Sequence, residues 1–256
     1  MYLGIDIGSS SSKAIIIDSN KQIKGMAIVN IGTGSKGPTM AVEQALNQVG
    51  IQRNDIKKCV VTGYGRMTYQ GADKQITEIS CHAMGVHHVM PKVRTIIDIG
   101  GQDAKVIKLS SAGGVENFVM NEKCAAGTGR FMEVMARVLD CKLGQLSQLA
   151  EKGTDGVAIS NTCTVFAESE MISQLAAGKK MEDVALGAHK SIAERIAGLC
   201  NRLKVEPIVA MTGGVALNSN VVDCIEKQLG EEIVRLDNPQ GMGALGAAIY
   251  ALKMDD

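Results

Sequence analysis

The sequence predicts an α/β protein built from two related halves, and three observations carry this prediction. Residues 3–17 (LGIDIGSSSSKAIII) and 95–109 (TIIDIGGQDAKVIKL) match at a constant offset of 92 residues, the difference between Asp98 and Asp6. Continuous β-branched runs such as 15–17 indicate buried strands, and other stretches carry apolar residues at helical spacing. A length of 256 residues suits two halves of roughly 100–150 residues.

Each copy of the repeat predicts a β-hairpin. In both copies an apolar strand ends at Asp-Ile-Gly, a turn of small residues follows, and a second apolar strand leaves the turn. The aligned pairs are Asp6 with Asp98, Gly8 with Gly100, and Lys13 with Lys105. The apolar run at 58–62 (KCVVT) predicts a third strand in the first half.

The two turns have the composition of phosphate-binding loops. Glycine lets backbone N–H groups approach an anion closely, and the serines at 9–12 add hydroxyl donors. Asp6 and Asp98, at the strand ends, could hold Mg²⁺ through water. A single such turn would favour an ordinary hairpin, but two copies at a fixed offset favour a nucleotide bound by two related halves.

Two further glycine-rich segments support nucleotide binding. Residues 207–218 (PIVAMTGGVALN) predict an apolar strand that runs into Gly213-Gly214 and a helix start near Asn218. Residues 240–253 (QGMGALGAAIYALK) predict a helix of small residues that can pack closely. The sequence has no GxxxxGK[ST] motif, which excludes a P-loop protein, and no GxGxxG motif after a strand.

The motifs DIGSSSSK, DIGGQD and MTGGVA, in this order, resemble the phosphate-1, phosphate-2 and adenosine motifs of the ATPase superfamily of actin, hexokinase and heat-shock chaperones. The resemblance implies two duplicated actin-like (ribonuclease H-like) α/β domains with ATP in the cleft. The first domain is expected at 1–93 together with a C-terminal helix at about 243–256, and the second, with the cysteine motifs described below, at 94–242.

The same resemblance implies roles for individual residues. Asp6 and Asp98 serve Mg²⁺ and catalysis, and Gln102 orients the attacking water. The residues implied to contact ATP are Gly8, Ser9, Ser10, Ser11, Lys13, Gly100, Gly101, Gln102, Gly127, Gly213, Gly214, Asn218 and Gly243.

Composition excludes several classes of function. The formal net charge is 0 and the aromatic fraction is 3%, so the chain has neither the basic footprint of a nucleic-acid or membrane-surface protein nor many base-stacking side chains. No basic leader precedes the first strand and no window approaches 18 apolar residues, which predicts a cytoplasmic protein. There, an odd count of seven cysteines indicates packing, metal binding or catalysis rather than disulfides.

Two of the cysteines precede predicted helices. They lie in NEKCAAGTGRF (121–131) and SNTCTVFAESE (160–170), so we expect Cys124 and Cys163 at helix starts, where free N–H groups stabilise an anion. They could be buried small residues, a nucleophile or metal ligands. The four histidines show no recognisable partner spacing, and a metal site needs four ligands. Two chains related by twofold symmetry would supply four thiols.

The remaining five cysteines are predicted to be packing residues without an assigned role. They are Cys59, Cys81, Cys141, Cys200 and Cys224. The histidine pair at 87–88 is most simply a surface pair.

Several long stretches resemble the activators, or initiators, of 2-hydroxyacyl-CoA dehydratases, which are ATPases of the BadF/BadG/HgdC type found in anaerobic bacteria. The stretches are GIDIGSSSSK, TGYGR (62–66), ADKQITEISCHAMG (72–85), IDIGGQDAK, NEKCAAGTGRFMEVMA and NTCTVFAESEMISQL. The resemblance implies a homodimer with one [4Fe-4S] cluster ligated by Cys124 and Cys163 of each chain. It also implies that ferredoxin or flavodoxin donates one electron, and that ATP hydrolysis drives its transfer to the dehydratase.

Three alternatives stay open. The same chemistry could serve a benzoyl-CoA reductase-like or double-cubane-cluster protein. A small-molecule (sugar) kinase of the same fold would have no use for Cys124 and Cys163. A regulatory module would keep ATP but not iron.

Overall fold

The computed structural model describes residues 1–121 and 124–255 and consists of two compact units. Unit 1 comprises Met1–Ile96, Ile107–Asn117 and Leu236–Asp256, and unit 2 comprises Ile97–Val106 and Phe118–Arg235. The domain bounds expected from the sequence, 1–93 with 243–256 and 94–242, stay a prediction.

The first five-stranded sheet contains the first copy of the repeat. Its strands are β1 (Tyr2–Ile7), β2 (Ser12–Ile17), β3 (Ile23–Val29), β4 (Lys58–Thr62) and β5 (Lys74–Gln75). They lie in the order β3-β2-β1-β4-β5. The hairpin strands β1 and β2 are antiparallel, whereas β4 runs parallel to β1. All six residues of β1 are buried, as expected for a strand covered on both faces.

The second sheet repeats this topology. Its strands are β6 (Thr95–Ile99), β7 (Ala104–Leu109), β8 (Val115–Asn121), β9 (Val209–Thr212) and β10 (Ile233–Val234). They lie in the order β8-β7-β6-β9-β10, which matches the first sheet strand for strand. The repeat that the sequence shows over 15 residues therefore extends to the order of all five strands, and the predicted strands at 58–62 and before Gly213 are confirmed.

Helices flank both sheets. They are α1 (Gly37–Val49), α2 (Glu78–Val89), α3 (Gly129–Val138), α4 (Leu146–Glu151), α5 (Thr164–Ala176), α6 (Met181–Leu203), α7 (Ser219–Leu229) and α8 (Met242–Leu252). The C-terminal helix α8 belongs to unit 1, and α3 to α7 belong to unit 2. Across the described residues, we find no helix with the length and apolar character needed to span a bilayer.

Small residues let α8 pack closely in unit 1. A side chain at Gly246 would clash with the carbonyl of Cys81 in α2, and one at Gly85 would clash with the carbonyl of Met242. Gly4 in β1 faces α8 in the same way. These contacts bring the start of α8 beside the end of β1, which is the base of the first loop. In unit 2 the core instead surrounds Phe131 of α3, whose side chain is fully buried.

Candidate nucleotide loops and cysteine site

The loop after β1 is a tight turn over a buried ion pair. The N–H of Gly8 donates to the carbonyl of Ser11 at 2.9 Å. Asp6 and Lys13 are register partners across the hairpin, and the Lys13 Nζ lies 3.2 Å from the Asp6 Oδ2. Both side chains are largely buried. A carboxylate and an ammonium therefore lie together at the base of this turn.

The loop after β6 has the same turn and one additional carboxylate. The N–H of Gly100 donates to the carbonyl of Asp103 at 3.0 Å, the counterpart of the Gly8 bond. The Lys105 Nζ lies 3.3 Å from the Asp98 Oδ2 and 2.7 Å from the Asp103 Oδ2. The Thr212 hydroxyl, at the end of β9, donates to the Asp98 Oδ1 at 2.8 Å. Lys105 therefore lies between two carboxylates, whereas Lys13 pairs with one.

Most of the predicted phosphate-contacting residues lie at the surface of these turns. Ser10 and Gln102 are exposed, and the others of this group are partly exposed: Gly8, Ser9, Ser11, Gly100 and Gly101. The serine hydroxyls and the Gln102 amide are thus accessible to a solute. Their predicted contacts with phosphate and water stay predictions.

A second glycine turn is duplicated, although the 15-residue sequence repeat does not include it. Gly63 follows β4 and Gly213 follows β9, and both adopt φ of +88°. A side chain at Gly63 would meet Asp6 and the Ile7 carbonyl, and one at Gly213 would meet Asp98 and the Ile99 carbonyl. A Thr-Gly pair at the end of an apolar strand, in VVTG and AMTG, is the signal that could have revealed this second repeat.

Three other predicted ATP contacts lie in distinct settings. Gly127 has φ of +80° and packs against the Arg195 side chain. Gly214 is exposed, whereas Asn218 is buried and caps α7 by accepting a hydrogen bond from the Val221 N–H at 3.0 Å. Asn218 therefore has a structural role in this structure.

The start of α8 brings a histidine close to the first carboxylate. A Cβ at Gly243 would lie 2.9 Å from the His82 Nε2 and 3.1 Å from the Asp6 Oδ2. Both His82 and Asp6 are buried. No sequence motif marks His82, which α2 and α8 together place beside Asp6.

The structure confirms one of the two expected helix starts and corrects the other. Cys163 is the N-cap residue of α5. Cys124, in contrast, precedes α3, whose N-cap is Thr128. A turn in which the Thr128 N–H donates to the Ala125 carbonyl at 3.1 Å intervenes, and Gly127 has a left-handed conformation that ends any helical run. The helix-terminus argument therefore applies to Cys163 alone.

The two cysteines nevertheless lie in adjacent backbone segments. The Cys124 thiol lies 3.6 Å from the carbonyl oxygen of Thr162, the residue before Cys163. The side-chain amide of Asn121 donates to the Cys124 carbonyl at 2.8 Å, and Arg195 donates to the Asn161 carbonyl at 3.0 Å. Both cysteines are half-buried. Two thiols from distant positions thus lie at one partly exposed place in unit 2.

The other five cysteines favour the protonated thiol. Burial raises the pKa of Cys59 to about 11 and the pKa values of Cys81 and Cys200 to about 12. Burial also raises the pKa values of Cys141 and Cys224. Since the thiolate is the metal ligand, these five positions are poor candidates for a metal site.

The donor set of the cysteine site fits a cluster shared between chains. Within residues 1–121 and 124–255, no group of three or more His, Cys, Asp or Glu side chains is placed to hold a metal ion. One chain therefore offers two thiols at this site, which is half of the four-thiolate set of a [4Fe-4S] cluster. Beside it, α5 exposes Val165, Phe166 and Ile172, which are 65%, 64% and 53% exposed. Such an apolar patch is typical of a protein–protein interface.

Hydrogen bonds join the loop after β6 to the segment that follows Cys124. The N–H groups of Gly129 and Arg130, at the start of α3, donate to the carbonyls of Gly100 and Gly101, both at 2.9 Å. The Thr128 hydroxyl also lies within hydrogen-bond distance of the Gly101 carbonyl, at 3.2 Å. Residues only four to six positions after Cys124 are thus bonded directly to the loop that carries Gln102.

Two duplicated sheets with matching loops and flanking helices define an α/β protein of the actin-like fold. The family model of the BadF/BadG/BcrA/BcrD ATPases matches residues 3–251, and the chain belongs to this family.

Relatives are similar over nearly their whole length. The chain is 53% identical to the activator of lactoyl-CoA dehydratase of Anaerotignum propionicum over 98% of this chain and 97% of the relative. The structure of the activator of 2-hydroxyisocaproyl-CoA dehydratase from Clostridium difficile, with bound ADPNP, matches with a TM-score of 0.96 and 49% identity, covering 99% and 95% of the two chains. Component A of (R)-2-hydroxyglutaryl-CoA dehydratase from Acidaminococcus fermentans matches with a TM-score of 0.95 and 49% identity over 99% and 98%.

Proposed function

We propose that this ATPase is the ATP-dependent one-electron activator of a 2-hydroxyacyl-CoA dehydratase. The observation that carries the proposal is the 3.6 Å distance between the Cys124 thiol and the carbonyl oxygen of Thr162, the residue before Cys163, which brings the two cysteine segments together at one partly exposed place in unit 2. The high identity to dehydratase activators supports a dehydratase partner over a benzoyl-CoA reductase-like or double-cubane-cluster protein. A sugar kinase of this fold would need neither cysteine.

The cysteine site is proposed to hold a [4Fe-4S] cluster between two copies of the chain. Cys124 and Cys163 of each copy would supply the four thiolates, and the exposed Val165 and Phe166 would be covered in the homodimer. When bound, the cluster supplies a one-electron carrier that ferredoxin or flavodoxin can reduce. Its partly exposed position would make it oxygen-sensitive, as suits an anaerobic protein of the cytoplasm.

The two loops are proposed to hold ATP and Mg²⁺. The backbone N–H groups and hydroxyls of 8–11 and 100–102 would bind phosphate oxygens. Asp6 and Asp98 would hold Mg²⁺ through water, and Gln102 would orient the attacking water. Lys13, now paired with Asp6, lies at the base of the first loop and would turn toward the phosphates.

The hydrogen bonds between the second loop and α3 offer a physical route for coupling. Any nucleotide-dependent shift of Gly100 or Gly101 acts directly on Thr128 and Gly129, and therefore on the turn that follows Cys124. Such a shift would change the position of the Cys124 thiol relative to Cys163, and with it the charge and exposure around the sulfurs. This segment is the proposed two-state element.

Iron analysis of anaerobically purified protein tests the cluster. We expect brown protein with about four irons and four sulfides per dimer. Cys163→Ala should abolish the colour and leave ADP binding unchanged. Cys141→Ala is the matched control, because Cys141 is also a half-buried cysteine of unit 2 but lies outside the site. Colourless wild-type protein with iron near zero after reconstitution would overturn the proposal.

A second variant tests the coupling. Thr128→Val keeps the shape of the side chain and removes the hydroxyl, which lies 2.6 Å from the Ala125 carbonyl and 3.2 Å from the Gly101 carbonyl. We expect ATP hydrolysis to continue while electron delivery to the dehydratase falls, together with the difference between the ADP-bound and ADPNP-bound electron paramagnetic resonance spectra. Spectra that change with nucleotide as in the wild type would show that the Thr128 hydroxyl has no part in the coupling, which would then depend on the backbone bonds of Gly129 and Arg130 alone.

A further inference from the structure

Unit 1 contains a cavity of about 460 Å³ that shares no residue with the two glycine loops. It is lined by the C-terminal part of α2, the β7–β8 turn at 112–114, the end of α8, and Lys21 from the β2–β3 turn. The volume lies within the range of small-molecule sites. None of the residues assigned to ATP, Mg²⁺ or the cluster lines this cavity.

The charged lining of the cavity is entirely basic. Lys21, His87, His88 and Lys253 line it, and no carboxylate of the described chain does. These four side chains come from three separate elements, so the fold, rather than one basic stretch of sequence, collects them. A concave site with charges of one sign attracts an ion of the opposite sign.

The acidic residues nearest in sequence to the two lysines are paired elsewhere. Asp18 lies 3.0 Å from the Lys24 ammonium and accepts backbone hydrogen bonds from Asn20 and Gln22. Asp255 accepts from the Tyr2 hydroxyl at 2.7 Å and from the Lys57 ammonium. Neither Lys21 nor Lys253 forms an ion pair within the part of the chain that the structure describes.

His87, which lines the cavity, has a ring nitrogen that forms no hydrogen bond to the described residues. This nitrogen, Nδ1, is buried. The imidazole packs closely against the β7–β8 turn. Gly113, which has φ of +79°, lies so near the ring that a side chain there would clash with it. A buried polar atom without a partner calls for an unseen ligand or water. Burial and the charges of Lys21 and His87 also lower the pKa of His88, as expected where positive charge is concentrated.

We propose that this cavity binds a small molecule that carries a phosphate monoester. Lys21, His87 and Lys253 would contact the phosphate, while Met84 and the Tyr250 ring form the wall for its organic part. A metal ion fits poorly, since two lysines would repel it and the described residues contain no three-ligand group here. The proposal stands independently of the cluster.

Calorimetric titration tests the site in the intact protein. Wild-type protein saturated with Mg-ADP, so that its nucleotide loops are occupied, is titrated with phenyl phosphate and with inorganic phosphate. We expect saturable binding of both probes, tighter for phenyl phosphate because of the apolar wall. The double variant Lys21→Met/Lys253→Met should weaken both affinities at least about tenfold. Lys92→Met, which removes an exposed lysine outside the cavity lining, is the matched control and should have no effect.

A site-specific signal accompanies the heat. With ¹³C-methyl methionine labelling, the Met84 resonance, assigned through Met84→Leu, should shift during the same titration. Unchanged ADP binding and melting temperature would show that the double variant is folded. The proposal fails if neither probe binds up to about 10 mM, if the double variant binds as well as the wild type, or if the Met84 resonance stays still while heat is released.

Discussion

The segment that follows β3 in unit 1 and the segment that follows β8 in unit 2 occupy equivalent places in the two sheets but carry different side chains. In unit 1 the connection after β3 donates from the Thr33 N–H to the Gly8 carbonyl at 3.0 Å. In unit 2 the connection after β8 donates from the Gly129 N–H to the Gly100 carbonyl at 2.9 Å. Each connection thus touches the glycine loop of its own unit. Only the connection of unit 2 contains a cysteine, Cys124.

Some features are therefore common to both units, and the cysteine site is found in one unit alone. The turn, the buried carboxylate and its lysine are present twice, which is expected if both loops serve one nucleotide. The cysteine site is present once, in a segment that already contacts a loop in both copies. A redox centre placed there would need no new structural connection to the glycine loop, because that connection is present in both units.

The largest effect should separate the two cysteines of the cysteine site in unit 2 from the two buried cysteines of unit 1. At pH 8, a thiol with a pKa of about 11 or 12 has a thiolate fraction of about 10⁻³ or 10⁻⁴, so Cys59 and Cys81 of unit 1 should be nearly inert. In metal-free protein, iodoacetamide should modify the partly exposed Cys124 and Cys163 at least about 10³-fold faster, because Cys59 and Cys81 are fully buried as well as protonated. Peptide mass spectrometry follows the modification of each cysteine. Because burial raises these pKa values, the modification rate should rise with pH up to about 11 at Cys59 and up to about 12 at Cys81. Comparable rates at all positions would erase the contrast.

The duplicated glycine turns should respond equally to substitution. Gly63→Ala and Gly213→Ala each place a Cβ against a carbonyl at φ of +88°. We expect each to lower the free energy of unfolding by about 3 kcal/mol, measured by urea denaturation with ADP absent. Gly34→Ala is a control for the left-handed conformation alone, because a Cβ there meets nothing within 4 Å. A large loss at one turn and none at the other would show that the second repeat is not structural.

Substitution of Asp6 or Asp98 should lower ATPase activity to the same extent but lower the free energy of unfolding to different extents. Asp6→Asn and Asp98→Asn should each lower the kcat of ATP hydrolysis about 100-fold, or about 2.7 kcal/mol, if both serve Mg²⁺. Asp6→Asn should be the more destabilising, because Lys13 then loses its carboxylate whereas Lys105 keeps Asp103. Equal unfolding free energies would contradict this reading of the ion pairs.

The smallest effect should come from giving the first loop the residue of the second at an equivalent position, where Ser11 corresponds to Asp103. Ser11→Asp adds a carboxylate beside the proposed phosphate site and should weaken ATP binding about tenfold, or about 1.4 kcal/mol. Ser11→Asn, of the same shape but uncharged, is the control. An equal effect of both variants would mean that size and not charge matters at this turn. Equilibrium dialysis with labelled ATP provides the measurement.

Local patterns were enough to predict much of the fold. The hairpins, the strand at 58–62 and the helix start at Cys163 follow from apolar periodicity and from small residues at turns, which act over a few residues. Cys124 was misplaced at a helix start because Gly127 and Thr128 form a turn first. The second repeat at Gly63 and Gly213 was missed because only a Thr-Gly pair marks it.

The sequence by itself determined the repeat, the family resemblance and the two distinctive cysteines, because these are written in short motifs at fixed spacing. Only the tertiary structure decided which residues meet. It brought Cys124 to Thr162, Gly129 to Gly100 and His82 to Asp6, pairs separated by up to 76 residues in the chain. Such contacts depend on how sheets and helices pack, and packing is set by the sum of many side-chain contacts that no single motif encodes.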